Sequence, residues 1–569
     1  MVKICFRIFV FVSLLLSLGA WALASPIGSD PDGQFHLTSI WCGSGYSDGQ
    51  CEAPTDESAN LTPKAINVPV AVALVANCYA NKSDISSACS LTELNNHEMI
   101  QSQINNEGRL YPNFYYFVAS KFVGQNVSQS ALLIRFFNIL LFVLLAIGIW
   151  KIAPRDIRDG VSLTLATFLI PLGLFTIASN NGSSWTITGI SFYWAFLVVY
   201  LESTDRRIWI SAGFFSALSA LMALGSRADG AVFVLVSTVV GILIAMGRNL
   251  KAVRLNWMRL IVPLVIIPLS INSYLGAGQS AAFASGLMGS TSIGRNPYAA
   301  LFGNLLRLPV FFMGALGAPR SMGDLGWLDT QMPELVSGFV LFTVAGVIVF
   351  SLKKRTRYES LALIICIFAM LLTPIAMLYL DNAIVGELVQ ARYVLPLILL
   401  AMGVLTSGVR VDTSSLMPLK FRFIGGLFLS IAYAVALHTN MRRYITGNDV
   451  SHWNLNKNLE WWWKSGPSPM TVWFFGTVSF MILITYLMNN VGQTANRNPL
   501  ESTNVLVSEG GLEDESIVNK DLQVHLERYL HPGSPHLSHS APWKDFGLLQ
   551  LAYQMLTVIN QPIQNHRAR

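Results

Sequence analysis

The chain has 569 residues, of which 53% are hydrophobic and only 12% are charged. Soluble domains carry about 25% charged residues, so this composition excludes an ordinary soluble protein and indicates a membrane protein with the lipid bilayer as its surroundings. The formal net charge of +6 comes without a basic, aromatic-interleaved motif, which argues against nucleic acid as a partner.

Long hydrophobic stretches recur along the chain and predict the fold class. In lipid each stretch must form a helix, so we expect an all-α polytopic membrane protein with about 12 transmembrane helices. The expected spans are 4–24, 129–150, 161–179, 185–201, 208–225, 230–247, 260–276, 335–352, 359–380, 393–409, 422–438 and 470–488. A further apolar stretch, 301–318, contains Arg307 and Pro309. We interpret it as a re-entrant or interfacial segment.

Lysine and arginine predict the orientation, because short cytoplasmic loops retain them. With the N-terminus inside, every predicted inner loop is basic. The membrane domain is then 1–490, with large outer loops at 25–128, 277–334 and 439–469. Residues 491–569 are expected to form a polar cytoplasmic tail that is partly disordered.

The first span has a second interpretation as a cleaved signal peptide. Its apolar run ends in "ALA" at 22–24, which is typical of a cleavage site. Cleavage would leave the other spans in place and put the mature N-terminus outside.

Four cysteines lie in the first outer loop: Cys42, Cys51, Cys78 and Cys89. An oxidising compartment favours disulfides, and the local pairing joins residue 42 to 51 and residue 78 to 89, although the sequence leaves the other pairings open. A zinc site is the rival interpretation, but the spacing lacks the CxxC pairs typical of zinc ligands.

Acids and arginines gather on the predicted outer face. "GSDPDGQFH" at 28–36 follows the first span, "GSRADG" at 225–230 carries Arg227, and "GELVQARYVLP" at 386–396 carries Arg392. Outer arginines run against the positive-inside preference, and a guanidinium matches the oxygens of a phosphate. A carboxylate can take a proton from a sugar hydroxyl. The combination indicates chemistry on a lipid phosphate.

Structural roles are the alternative for the same residues. Arg227 has Asp229 close by in sequence and Arg392 has Glu387, so each arginine can form a local ion pair. "SDPDG" is also a good turn sequence, so its acids can serve as a turn or a helix cap.

Five motifs follow one another along the chain. They are "SDPDGQFH" after the first span, "YPNFYY" before the second, "ASNNGSSWTITG" at 178–189, "GWLDTQMP" at 326–333 and "VQARYVLPLILL" at 389–400. In this order they resemble the bacterial predicted membrane proteins known as domain of unknown function 2142. The resemblance covers about residues 5–490.

That family resembles the GT-C superfamily of polytopic glycosyltransferases. The resemblance implies a helical bundle whose first outer loop carries the catalytic acid. The implied donor is a polyprenyl-phosphate sugar, and the implied reaction inverts the anomeric centre. Transfer would take place on the extracytoplasmic face of the bacterial cytoplasmic membrane. The expected acceptor is a cell-envelope glycan, glycolipid or glycoprotein.

The family's Pro-Asp-Glu…His pattern falls on Pro31, Asp32, Gly33 and His36. The resemblance therefore implies Asp32 as the general base with His36 beside it. Gly33 replaces the second acid, which counts against a metal site or a pair of carboxylates unless Asp30 supplies the missing charge. We expect no certain cofactor, with a divalent cation as the alternative.

The arginine of "QARY" is Arg392, which we assign to the donor phosphate with Arg227 as a second contact. We also expect four residues in or near the motifs to contact the substrate: Tyr111, Tyr115, Trp185 and Asp329. For Tyr115 the alternative is an aromatic anchor at the membrane interface.

Two other functions fit a chain of this kind. A secondary transporter would place ionisable groups near the bilayer midplane and show related halves, whereas the charges here lie mainly at the outer ends of the spans. A non-catalytic assembly protein would keep the fold without the chemistry, and Gly33 in place of an acid favours it. The chain has no P-loop and no GxGxxG between a strand and a helix, which argues against a nucleotide-binding enzyme.

Overall fold

Helices make up most of the computed structural model. The structure describes residues 2–54, 64–279, 295–352, 355–387, 389–407 and 417–490. The predicted cytoplasmic tail therefore lies outside the described residues, as does the part of the second outer loop at 280–294.

The α-helices follow the apolar segments of the sequence. In chain order they are α1 (Val2–Leu23), α2 (Gly33–Trp41), α3 (Val70–Ala73), α4 (Phe114–Ala119), α5 (Val127–Ile152), α6 (Arg155–Phe168), α7 (Leu172–Ile177), α8 (Ser183–Glu202), α9 (Arg206–Leu224), α10 (Ala228–Leu255), α11 (Ile261–Gly276), α12 (Pro297–Ala315), α13 (Glu334–Ser351), α14 (Arg357–Leu380), α15 (Leu395–Ser407), α16 (Leu419–Ile445) and α17 (Pro469–Asn490). Short 3₁₀ helices cover Ser87–Leu91, Glu93–Asn95, Ser120–Phe122, Trp257–Leu260 and Ala391–Tyr393.

Ten of the described helices are long and apolar enough to cross a membrane by length and composition. Two shorter apolar helices are Ile8–Leu23, within α1, and Leu395–Ser407. Helix α8 is buried along its apolar window and contacts α5, α9, α10 and α15, so it forms the centre of the bundle. The predicted all-α polytopic fold is confirmed, and the protein is a membrane protein with multiple apolar helices.

One predicted span is interrupted. Residues 161–179 were expected to form a single helix, but the structure divides them between α6 and α7, with Leu169–Pro171 in between. Pro171 explains the break, because proline has no backbone N–H to donate and disfavours helical backbone in the residue before it.

The stretch interpreted as re-entrant or interfacial is one continuous helix, α12. Arg295, just before it, donates to the carbonyl of Asn382 at 3.1 Å, and Asn304 in its middle donates to the carbonyl of Ala383 at 2.9 Å. Its last residues pack near Ala391. All three contacts lie in the connection between α14 and α15, so α12 runs along that connection. Helix α12 is one of the ten helices that are long and apolar enough to cross a membrane, but its contacts along this connection favour an interfacial helix over a span or a re-entrant loop.

The predicted first outer loop, 25–128, folds into a small cap in its described residues. Strands β1 (Ile66–Pro69) and β2 (Met99–Ser102) pair antiparallel, with Ile66 opposite Ser102. Disulfides join Cys42 to Cys51 and Cys78 to Cys89, so the predicted local pairing is confirmed.

Candidate functional site

Asp32 occupies the N-cap position of α2. Its backbone is left-handed, with φ 58° and ψ 26°, a conformation that costs a residue with a side chain roughly 1–2 kcal/mol. Its carboxylate makes no capping hydrogen bond to the helix. Asp32 therefore lies at the predicted helix N-cap position, but its side chain is directed to a different partner.

Gly33 follows in a place that has no room for a side chain. A Cβ built on Gly33 would lie 2.5 Å from the carbonyl oxygen of Gly28, closer than real atoms approach. The Gly33 N–H also donates to the carbonyl of Asp30 at 2.8 Å, which closes the turn. Glycine in place of the family's second acid thus has a steric reason.

Side chains from distant parts of the chain donate to carbonyl groups at the end of α1 and in the connection between α1 and α2. The donors are Arg135 to Ala22, Ser25 and Pro26; Asn440 to Ala24; Tyr79 to Ile27; Trp327 to Gly28; Tyr444 to Ser29; and Asn181 to Pro31. These bonds satisfy backbone groups that would otherwise be buried without partners. The network fixes the loop that carries Asp32.

The partner of Asp32 is Arg392, whose Nη2 donates to Asp32 Oδ2 at 2.7 Å. The Arg392 side chain is 2% exposed and that of Asp32 is 47% exposed. The Asp32 carboxylate is therefore accessible while it contacts a buried guanidinium. Burial acts to raise the pKa of the Asp32 carboxyl, but the positive groups around it, chiefly Arg392 through its charge and hydrogen bond, outweigh burial and lower the pKa. Asp32 is therefore ionised at neutral pH.

The two arginines predicted to bind phosphate share one aromatic ring. The guanidinium carbons of Arg227 and Arg392 lie 4.8 and 5.1 Å from the centre of the Tyr393 ring. Arg227 also lies 5.3 Å from the centre of the Tyr111 ring. Two buried guanidinium groups are thus assembled at one place, an arrangement suited to phosphate oxygens.

The predicted ion pairs have different outcomes for the two arginines. Arg227 Nε donates to Asp229 Oδ1 at 2.8 Å, so the first local pair is present. Glu387 pairs with Arg295 at 2.8 Å, and the predicted pair with Arg392 is wrong. Helix α12 begins just after Arg295 and brings that arginine to the connection that contains Glu387.

Asp30 and His36, the other predicted catalytic residues, are both buried. Neither carboxylate oxygen of Asp30 accepts a hydrogen bond from another described residue. Burial raises the Asp30 pKa to about 6 against the opposing charge of Arg135. His36 Nδ1 is hydrogen-bonded to the Tyr116 hydroxyl at 2.9 Å, and burial lowers its pKa to about 3. The imidazole is neutral at physiological pH, and both side chains lie within the protein rather than at an accessible surface.

The four residues predicted to contact substrate lie in different surroundings. Tyr111 stands beside Arg227, within the site. Tyr115 and Trp185 are buried and pack edge to face with ring centres 5.3 Å apart, so Tyr115 is not an anchor at the membrane interface. Asp329 pairs with the fully buried Arg443 at 2.7 Å.

Sequence reasoning missed Tyr393 and the role of Arg135. Tyr393 is the neighbour of Arg392 in "QARY", and aromatic residues next to arginine carry no strong signal by themselves. Arg135 did carry a signal, because a charge inside an apolar helix usually has a dedicated partner. Its partners are carbonyl groups, which have no sequence signature.

The site can deprotonate a hydroxyl and hold an anionic group. Asp32 supplies an accessible carboxylate. The two buried arginines are each paired with an aspartate, Arg392 with Asp32 and Arg227 with Asp229, so an anion would bind them by displacing these carboxylates. Within the described ranges no group of three or more His, Cys, Asp or Glu side chains is placed to hold a metal ion.

Residues 15–401 match the family model of the predicted membrane proteins of domain of unknown function 2142. No curated protein and no solved structure matches the chain. The matched region begins in α1, ends in α15 and contains Asp32, Arg227 and Arg392. The chain therefore belongs to this family of predicted membrane proteins.

Proposed function

We propose that the protein is a membrane glycosyltransferase that transfers a sugar from a polyprenyl-phosphate donor to a cell-envelope acceptor. The observation that carries the proposal is the contact of Asp32 with Arg392, an accessible carboxylate 2.7 Å from a buried guanidinium. A carboxylate can act as the general base toward a hydroxyl, and a guanidinium can hold a phosphate. Transfer from a lipid phosphate needs both groups at one place.

The donor phosphate has a second effect on the base. Before the donor binds, Asp32 and Arg392 neutralise each other. A phosphate that enters beside Arg392 and Arg227 competes for their guanidinium groups, and Asp32 then loses the contact that lowers its pKa. Donor binding thereby makes Asp32 a stronger base for the step that requires one.

In the transfer step Asp32 takes the proton of an acceptor hydroxyl. The hydroxyl oxygen forms a bond to the anomeric carbon, while the bond between that carbon and the phosphate oxygen breaks. The bonding electrons leave with polyprenyl phosphate, whose charge is stabilised by Arg392 and Arg227. The proton ends on Asp32, and direct displacement inverts the anomeric configuration. His36 and Asp30 take no part in the proton transfer in this scheme, because both are buried.

The proposed location is the extracytoplasmic face of the bacterial cytoplasmic membrane. The basic residues of the predicted inner loops support this orientation, since they place the cap and Asp32 on the opposite side. The proposed partners are a polyprenyl-phosphate sugar in the outer leaflet and an acceptor glycan, glycolipid or glycoprotein.

A non-catalytic assembly protein is the second candidate. Asp32 and Arg392 form an ion pair that joins distant parts of the chain, so they would also serve as a structural pair. Secondary transport has less support. Arg135, a charge inside α5, uses its guanidinium to hold Asn180 and backbone carbonyls, which leaves it no role in binding a cargo.

Transfer from radiolabelled polyprenyl-phosphate sugars tests the proposal, with wild type and Asp32→Asn at matched amounts of folded protein. Asparagine keeps the size of the side chain and removes the base, so transfer should fall by about 10²–10⁴-fold. Asp48→Asn, an exposed aspartate of the cap, is the matched control and should retain transfer. Equal transfer by Asp32→Asn would refute the assigned base. No transfer by the wild type from any donor would favour the assembly protein.

A further inference from the structure

A surface cavity of about 340 Å³ lies where three separate segments of the chain meet. Asn81 and Ser83 come from the cap, Trp327, Asp329 and Gln331 from the loop before α13, and Asn448 from the loop after α16. The volume falls within the roughly 300–1,000 Å³ typical of small-molecule sites.

The cavity presents neutral polar groups. Among the described residues that line it, Asp329 is the charged one, and its carboxylate is already paired with the buried Arg443. Asn81, Gln331 and Asn448 supply carboxamides, each of which both donates and accepts hydrogen bonds. An ionic ligand would find no free counter-charge here, whereas a ligand rich in hydroxyl groups would find partners for both its O–H groups and its oxygens.

An aromatic ring in a fixed orientation forms one wall. Trp327 Nε1 donates to the carbonyl of Gly28 at 2.9 Å, which holds the indole in place. A flat apolar ring beside carboxamides suits a sugar, because a sugar ring has apolar C–H faces and a polar rim. Gly28 belongs to the same short connection as Asp32, so Trp327 links the cavity to the candidate base.

The walls are held together without a ligand. The Asn448 N–H donates to the carbonyl of Ser83 at 3.0 Å and joins two of the three segments. The disulfide between Cys78 and Cys89 closes the cap segment that carries Ser83. A preformed cavity binds with little loss of conformational entropy.

We infer that this cavity binds a neutral carbohydrate, the acceptor glycan of the transferase. The assignment of the cavity as an acceptor site rests on the proposed function, whereas the binding of a carbohydrate does not. Gln331 and Asn448 are exposed, and in the described part of the chain no hydrogen bond holds either side-chain amide. Both amides are therefore available to a ligand.

The test is binding of the full-length protein in lipid nanodiscs to an array of neutral oligosaccharides of hexoses and N-acetylhexosamines, with phosphorylated and sulfated counterparts. The wild type should bind at least one neutral oligosaccharide in preference to its anionic counterparts. Gln331→Ala/Asn448→Ala should bind that oligosaccharide at least about tenfold more weakly, because two ligand hydrogen bonds are removed. Gln101→Ala/Gln103→Ala removes two exposed amides of the cap that do not line the cavity and should bind as the wild type does.

Asp32→Asn separates this inference from the proposed function, because it should lose transfer and keep oligosaccharide binding. If the cavity variant loses oligosaccharide binding and the wild type shows no transfer, the result would support the carbohydrate site and count against the transferase. Two results would overturn the carbohydrate site even if transfer depends on Asp32. One is that the wild type binds no neutral oligosaccharide, and the other is that binding is unchanged in the cavity variant.

Discussion

Arg392 donates a 2.7 Å hydrogen bond to Asp32 across a separation of 360 residues in the chain. The contact joins the connection after α1 to the connection before α15. It positions the carboxylate, and it also lowers the carboxyl pKa. These two effects can be separated experimentally, because one concerns rate and the other the pH at which the rate falls.

Arg392→Gln should lower kcat/KM for transfer by about 10²–10³-fold, since a donor to the leaving phosphate is lost. The same change removes the charge that lowers the pKa of Asp32, so that pKa should rise. Because the base must be ionised, the acidic limb of the profile of kcat/KM against pH should move to higher pH. Arg295→Gln breaks the half-buried pair with Glu387 and is the control. A limb that stays in place would mean that Arg392 does not act on the base.

Asp30→Asn should change how stability depends on pH. The folded-state pKa of Asp30 is about 6, above the ordinary value of 3.8, so protonated Asp30 is favoured by folding. The wild type should therefore lose stability as pH rises from about 4 to about 6, and the variant should not. The difference between the two free energies of unfolding should reach roughly 3 kcal/mol above that window. Unfolding in detergent at several pH values measures it.

Asp48→Asn, at an exposed position in the cap, is the control for Asp30→Asn. If the free energies of unfolding of the wild type and Asp30→Asn change equally with pH between about 4 and about 6, burial of ionised Asp30 has no energetic cost.

Asp329→Asn should destabilise the protein by about 3 kcal/mol, because it leaves the charge of the fully buried Arg443 without its partner. Arg443 also donates to the carbonyls of Tyr79, Lys82 and Ile85, so the change should loosen that part of the cap. Chemical unfolding measures the cost, and Glu387→Gln, in a more accessible pair, should show a smaller change. Unaltered stability together with a raised KM would instead assign Asp329 to substrate binding.

Helix α12 should have both ends on the outer side of the membrane, because both contact the connection between α14 and α15. Cysteines introduced at Asn296 and Arg320, one before and one after the helix, should both react with a membrane-impermeant maleimide in intact cells. Thr204→Cys, in a predicted inner loop, should react only after the cells are opened. Protection of one end alone would show that α12 crosses the membrane.

The sequence by itself determined the properties that depend on neighbouring residues. Apolar runs long enough to cross a bilayer predict helices, because an unpaired backbone cannot remain in lipid. The disulfides join cysteines 9 and 11 residues apart, so local spacing favoured the correct pairing. Asp32 and Arg392 were predicted as site residues because each lies in a short motif, and their roles remain predictions.

Only the tertiary structure decided which residues meet. Glu387 lies near Arg392 in sequence, yet Asp32 is the partner, because helix packing brings the two connections together. The same packing buries Tyr115 and places α12 along the connection between α14 and α15. Hydropathy describes the tendency of a segment to leave water and says nothing of its neighbours in the bundle. Contacts between distant segments, and the pKa values they set, depend on how those helices pack.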